Sequence, residues 1–365
     1  MRKILLGLIL LCGVSAFAQG VTTSSINGQV KDQNGEPLPG ANIVAVHQPS
    51  GTTYGSMTDF DGYYRVPNMR VGGPYKIEIS YVGFKTQTLE NVFLRLGDSE
   101  RISIQMQEEA RQLDEVIITA SKNGVFDSGQ KGSNTNISLR EINNLPSTSR
   151  SLGDFLRNTP EAQVTDGGSI SLGGQNNRYN AIYIDGAVNN DAFGLAASGT
   201  NGGQSGVNPI SIDAIESFQV NLAPFDVKQS GFAGGSINAI TRSGTNNLEA
   251  SAYYYLRNQD LAGKTPTAIE EDENERERLA DFTAELIGAR VGGSIIKDKL
   301  FFFVNYERQD EQTPAPFDFD QYQGDASLQD LQTLRQNLID NFGYDPGGFL
   351  NNPSSLTSDK LITRL

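Results

Sequence analysis

Cysteine occurs once in this sequence, at Cys12, histidine once, at His47, and tryptophan not at all. A single thiol closes no internal disulfide, so a disulfide-stapled scaffold is excluded. A single imidazole excludes zinc sites built from several histidines and leaves most His-dependent triads without a member. His47 therefore reads as a strand residue of a small sandwich. Positive charge is scarce as well: 29 Lys and Arg against 43 Asp and Glu give a net charge of −14, the wrong sign for non-specific nucleic-acid binding. Beyond the N-terminus no stretch is long and apolar enough for a transmembrane helix, which needs ~20 residues. A membrane role would have to come from β-strands, whose alternating pattern leaves composition unremarkable.

What is present begins with a leader. Arg2 and Lys3 precede an apolar run over residues 4–14, and Ala16, Phe17 and Ala18 supply the small-x-small pattern of a cleavage site. Residues 1–18 are expected to be a signal peptide, with Gln19 as the mature N-terminus. Leu11 stands where a lipobox wants a small residue before Cys12, so lipidation is not expected. Losing Arg2 and Lys3 takes the net charge from −14 to −16, and the mature chain is left without a thiol.

Residues 24–107 read as short strands separated by turn signals, the spacing of a β-sandwich. Strands are expected over 26–30, 41–46, 52–58, 63–66, 75–81 and 101–106. In KIEISYV at 76–82 the apolar residues alternate, so one face is buried. DFDG at 59–62 has two of the carboxylates of a calcium loop but not the rest, and Gly62 suits a hairpin turn. Nothing in the composition calls for a cofactor. The strings GQVKDQNGEPLPGANI, TDFDGYYRV and ISYVGF resemble the carboxypeptidase-regulatory-like domain, a non-catalytic accessory module.

Residues 123–247 change character. SLRE at 138–141 is a capping box opening a short helix that Pro146 ends. SLGD at 151–154 opens another, with Leu152, Phe155 and Leu156 at helical spacing and Pro160 beyond. Strands are expected at 170–172 and 181–185, a helical turn at 213–216 running into a strand at 217–221, and a Gly-rich turn and strand over 231–241. This is a small α+β unit laced with polar loops. GGQSG at 202–206 has no following Lys-Ser/Thr and is no phosphate loop. Four segments, at 151–160, 180–186, 215–220 and 231–241, together resemble the plug domain of TonB-dependent outer-membrane receptors. SusC-like and Oar-like receptors carry the same sandwich ahead of the plug, and the Gly/Asn/Ser-rich insertion at 189–208 looks Oar-like.

From residue 248 the pattern alternates. Leu248, Ala250, Ala252, Tyr254 and Leu256 share one face, and Glu249, Ser251, Tyr253, Tyr255 and Arg257 the other. Apolar-out, polar-in alternation with tyrosines is the signature of a transmembrane barrel strand. A long charged connection over 258–281, a strand at 283–296, a tight turn at 297–299, a strand from 300 and a long polar stretch over 310–359 follow. Long loop, short turn, long loop is the asymmetry of outer-membrane barrels, and GGSIIKDKLFFFVNYE resembles the corresponding hairpin of the receptors. Such barrels have ~22 strands; residues 248–365 hold three, with a fourth beginning at 360. The expectation is an N-terminal portion of a longer receptor.

The run Leu113, Asp114, Glu115, Val116, Ile117, Ile118, Thr119 and Ala120 (LDEVIITA) lies between sandwich and plug. It resembles the TonB box of this family, an extended segment without a strand partner of its own that adds to another protein's sheet edge. Alternatively it is the last strand of the sandwich. The fold class expected is multidomain and mainly β: a β-sandwich, an α+β plug and the first strands of an antiparallel transmembrane barrel. The resemblance implies a non-enzymatic outer-membrane transporter gated by plug remodelling. Its partners would be the periplasmic C-terminal domain of TonB, outer-membrane lipid and, in some members, a surface lipoprotein. A receptor or adhesin that transports nothing is the alternative; a secreted hydrolase is disfavoured by the lack of a second His and of any mature Cys.

Overall fold

The computed structural model describes residues 21–108, 133–145, 147, 150–165, 168–222, 232–264, 272, 274, 276–314, 319, 322–348 and 353–365, and the backbone of 116–119. The expected signal peptide lies outside the described residues. The chain divides into two compact bodies, Met1–Ala250 with Arg290–Asn305 and Ile362–Leu365, and Ser251–Ala289 with Tyr306–Leu361.

The first body opens with the sandwich: β1 (Ser24–Lys31), β2 (Asn42–His47), β3 (Thr52–Met57), β4 (Tyr63–Met69), β5 (Gly72–Ser80), β6 (Gln87–Leu94), β7 (Ser99–Arg101), β8 (Ile104–Gln105) and β9 (Val116–Thr119). One sheet runs β4-β1-β7, with β8 also on β1, and the other runs β3-β2-β5-β6-β9. Alternation places Tyr75, Ile77 and Ile79 of β5 inside, against Ile26, Ile43 and Met106, while Lys76 and Glu78 point outward and pair at 2.8 Å. Burying each such aliphatic side chain stabilises the fold by about 1.5–3 kcal/mol, whereas the half-exposed ion pair adds little. At the β3–β4 hairpin Asp59 Oδ1 accepts the N–H groups of Asp61 and Tyr63, and Gly62 adopts φ +76°, so DFDG is built as a turn.

Two strand expectations need correction here. The strand at 101–106 is two short runs laid parallel to β1. β6, the strand next to β9, was not foreseen. Gln87 and Thr88 are buried polar residues beside buried Leu89, so the alternation that would have marked β6 is absent.

The middle unit contains β10 (Asn134–Ser138), α1 (Leu139–Asn144), α2 (Leu152–Leu156), β11 (Ala162–Val164), β12 (Ile170–Leu172), β13 (Ala181–Ile184), β14 (Ala187–Val188), β15 (Ile215–Asn221) and β16 (Ser236–Thr241). Its five-stranded sheet runs β10-β15-β16-β13-β14, with β13 parallel to β16 and the other pairs antiparallel. Both helices start as their sequences dictate. Glu141 accepts the Ser138 N–H at 2.7 Å, and Ser151 Oγ accepts the Asp154 N–H at 3.2 Å. Pro146 lies outside the described residues. Phe155 of α2 packs edge-on against Phe218 of β15 with ring centroids 6.1 Å apart, an arrangement aromatic pairs prefer.

The last strands are β17 (Glu249–Asn258), β18 (Thr283–Ile296), β19 (Leu300–Thr313) and β20 (Ser354–Arg364), in the sheet order β17-β18-β19-β20. β20 begins six residues earlier than expected, and the polar stretch before it holds the helix α3 (Leu328–Phe342), capped by Ser327 and Asp330. A charged, loop-like composition concealed both. Among the described residues no helix is long and apolar enough to cross a membrane. The strands do carry the inverted pattern: Tyr254, Ile287 and Leu300 are exposed, while Phe303, Asn305 and Glu307 are buried.

Candidate functional site

Of the eight residues singled out between sandwich and plug, Val116, Ile117, Ile118 and Thr119 form β9; Leu113, Asp114, Glu115 and Ala120 lie outside the described residues. Val116–Thr119 does have a strand partner, as the alternative reading of the run as the last strand of the sandwich expects. β9 pairs in parallel with β6, Gln87 opposite Val116, Thr88 opposite Ile117, Leu89 opposite Ile118 and Glu90 opposite Thr119. The reason is the unforeseen β6, whose edge would otherwise leave backbone N–H and C=O groups unpaired.

The four segments that carried the plug resemblance are brought together. Segment 180–186 supplies β13, 215–220 most of β15 and 231–241 β16, three neighbouring strands of one sheet, with α2 from 151–160 packed on it. Asp185, in the left-handed region at φ 49°, ends β13. Its carboxylate accepts the Thr241 N–H at 2.9 Å and the Thr241 hydroxyl at 2.5 Å, tying β13 to the end of β16. Arg364 of β20 donates to the Thr241 carbonyl at 2.7 Å and lies 3.5 Å from Asp185. Arg150 pairs with Asp213 elsewhere in the unit. The plug core also takes in Phe303 of β19 and Ile362 of β20, so the plug and these strand ends share one apolar cluster.

A second junction lies in the same body. Arg70, following β4, donates to the carbonyls of Ser243 at 3.3 Å and Gly244 at 3.4 Å. The Asn246 N–H donates to the Pro49 carbonyl at 2.8 Å, and Asn246 Oδ1 accepts the Asp298 N–H at 2.9 Å. Sandwich loop, plug exit and the tight 297–299 turn are thereby linked. A cavity of about 190 Å³ sits here, lined among others by His47, Arg70, Glu216, Arg242, Glu249 and Arg290. Burial, with the nearby Arg70 charge adding, lowers the His47 pKa to about 4. Burial raises that of Glu216, with Arg70 opposing the rise, and lowers that of Arg70. His47 is a sandwich strand residue, as expected, its Nδ1 2.7 Å from Ser50 Oγ. Neither Arg70 nor Arg364 was flagged by the sequence, since isolated arginines in a charged chain carry no pattern.

In the second body Tyr253 donates to Glu307 at 2.7 Å, and Lys360 donates to the same carboxylate at 2.9 Å, both partners of the ion pair being nearly fully buried. Tyr253 reaches across β18 because residue 288 is glycine; a Cβ there would overlap the tyrosine ring. Among the described residues no cluster of three His, Cys, Asp or Glu side chains is placed to hold a metal ion.

Comparison with known proteins places these parts. The family profile of the Carboxypeptidase regulatory-like domain matches residues 25–107, that of the TonB-dependent Receptor Plug Domain 127–237, and that of an Outer membrane beta barrel domain 240–347. The TonB-dependent transporter Oar of Myxococcus xanthus is 28% identical over 312 residues, covering 81% of this chain and 27% of the relative. The TonB-dependent receptor SusC of Bacteroides thetaiotaomicron is 29% identical over 271 residues, covering 70% and 24%. The chain thus spans about a quarter of the length of these curated relatives. Among solved structures, the siderophore receptor PirA of Acinetobacter baumannii aligns over 52% of this chain and 26% of its own at 22% identity. Its TM-score is 0.38, too low for the alignment to say anything of the fold.

Proposed function

Because this chain belongs to the TonB-dependent outer-membrane receptors, we propose that it serves active uptake across that membrane, gated by remodelling of its plug. The family is non-enzymatic and its members reside in the Gram-negative outer membrane. The observation that carries the reading is the shared core of plug and strand ends, with Phe303 and Ile362 built into the plug's apolar cluster. Opening a plug held this way breaks that shared core, which on this reading is work supplied from outside. Residues 113–120 are the point of attachment: they lie immediately before the plug in the chain, and the periplasmic C-terminal domain of TonB is the partner that pulls on them.

Strand addition needs main-chain N–H groups, which proline removes. In the whole receptor, Val116→Pro or Ile117→Pro is expected to abolish energised uptake and weaken TonB pairing, while substrate binding at the outer face persists. Ile117→Val should change neither. Uptake by the Ile117→Pro receptor at the parental rate overturns the assignment of the segment. A parental receptor that assembles yet never accumulates substrate favours the non-transporting alternative. A surface lipoprotein partner would be sought by co-purification of the assembled receptor.

A further inference from the structure

We infer that the cavity lined by Arg70, Glu216, Arg242 and Arg290 is a binding site for a phosphate group. Such a site goes beyond active uptake and does not depend on that reading. Every residue of the cavity wall is described and lies in the first body.

Arg242, the residue after β16, is only 6% exposed. Its Nε donates to the Ile215 carbonyl at 3.2 Å, and among the described residues no carboxylate pairs with it. A guanidinium keeps its proton in a protein, and a buried charge without a counter-charge is costly. The surroundings add to that charge instead of cancelling it. Arg70, held by the Ser243 and Gly244 carbonyls, lines the same cavity, and β18 contributes Arg290. Arg364 is near enough for its charge to oppose that of Arg70. The acidic residues of the wall are Glu216 and Glu249, so three cations stand against two anions. Burial pushes Glu216 toward its neutral form, which moves the balance further positive, and His47, titrating at about 4, adds no charge at neutral pH. What the wall lacks is an anion. Guanidinium groups recognise phosphate and carboxylate alike. A carboxylate, however, offers two oxygens in one plane, whereas a phosphate offers tetrahedral oxygens to arginines arriving from separate elements. A volume of about 190 Å³ admits such a group together with bound water. Once bound, it would tie the end of β4, the end of β16 and β18 together through their arginines.

The test uses the whole receptor, purified in an uncharged detergent and freed of phosphate. Binding of labelled inorganic phosphate is measured by equilibrium dialysis, with sulfate and chloride as competitors at equal ionic strength. Parental binding should saturate, and sulfate should displace it far better than chloride. Arg242→Met should weaken binding about tenfold or more, since a charge-assisted contact is lost. Glu216→Gln removes an opposing charge and should tighten binding about threefold or more, a gain that damage to the fold does not produce. Melting curves separate a ligand contact from a structural one: phosphate should raise the melting temperature of the parent and leave that of Arg242→Met unmoved. Repeating the dialysis in nanodiscs with and without phosphatidylglycerol identifies the source. Unchanged phosphate binding assigns the site to the free ion, and displacement by the anionic lipid assigns it to a phospholipid headgroup. A parental receptor that binds no phosphate overturns the proposal. So does an Arg242→Met receptor with parental affinity, or a Glu216→Gln receptor that binds more weakly than the parent.

Discussion

β16 and β18 are strands of one chain built for opposite surroundings. β16 buries all six of its residues, among them Ser236, Asn238 and Thr241, because the plug sheet is covered on both faces. β18 leaves Ile287, Ile295 and Ile296 more than half exposed, and its neighbours β17 and β19 expose Tyr254, Leu256 and Leu300. In water so many exposed apolar side chains are a liability; in a bilayer they are the required surface, and the polar residues belong inside. The difference teaches that polarity alone does not say which side of a strand is the core. The second body makes the same point with charge: the buried Glu307–Lys360 pair faces inward with Tyr253, while the apolar side chains face out.

The contrast is broken most severely in the plug. Phe155→Ala removes a fully buried ring packed on Phe218 and should cost about 3–5 kcal/mol, read as lost hydrogen-exchange protection of β15 and β16 in the assembled receptor. Ile287→Arg tests the other side of the comparison. In lipid it should cost about 2–4 kcal/mol and reduce heat-resistant assembly, with Ile287→Val nearly silent; an Arg variant that assembles normally would mean that this face does not meet lipid.

Smaller effects sharpen the comparison. Tyr253→Phe withdraws one donor from the buried Glu307 carboxylate and should cost about 1–3 kcal/mol, and neutralising Lys360 as well, which removes the counter-charge of that carboxylate, should cost more again. The smallest expected effect is a pH slope. His47 titrates near 4 in the fold, against 6.5 for an ordinary exposed imidazole, so the unfolded chain takes up the proton first. Its contribution to stability is therefore present above 6.5 and lost as pH falls toward 4. Glu216 works in the opposite sense: its pKa is raised, so its cost is relieved as pH falls. The melting temperature of His47→Leu should accordingly fall less than that of the parent between pH 6.5 and 4, with the two curves running parallel below 4.

Much of this was legible in order and pattern. Alternation marked β5 and β17, the capping box marked α1, and four short motifs with fixed order marked the plug. The misses share a cause. β6 was invisible because Gln87 and Thr88 are buried by tertiary packing that no local pattern encodes. α3 was hidden by a charged stretch with no buried residue on the helix to give it a stripe. Arg70 and Arg364 matter through partners more than 100 positions away in the sequence, Ser243 and Gly244 for the one and Thr241 for the other.

The sequence by itself determined the succession of sandwich, segment, plug and barrel strands, because periodicity, turn residues and caps are local properties written every few residues. It also determined which face of β17 is apolar. Only the tertiary structure decided that Val116–Thr119 has a partner: a β-branched run is suited both to remaining free and to closing a sheet. What selects between these is whether an open edge lies within reach, and that edge belongs to β6, a strand stabilised by β5 rather than by its own sequence.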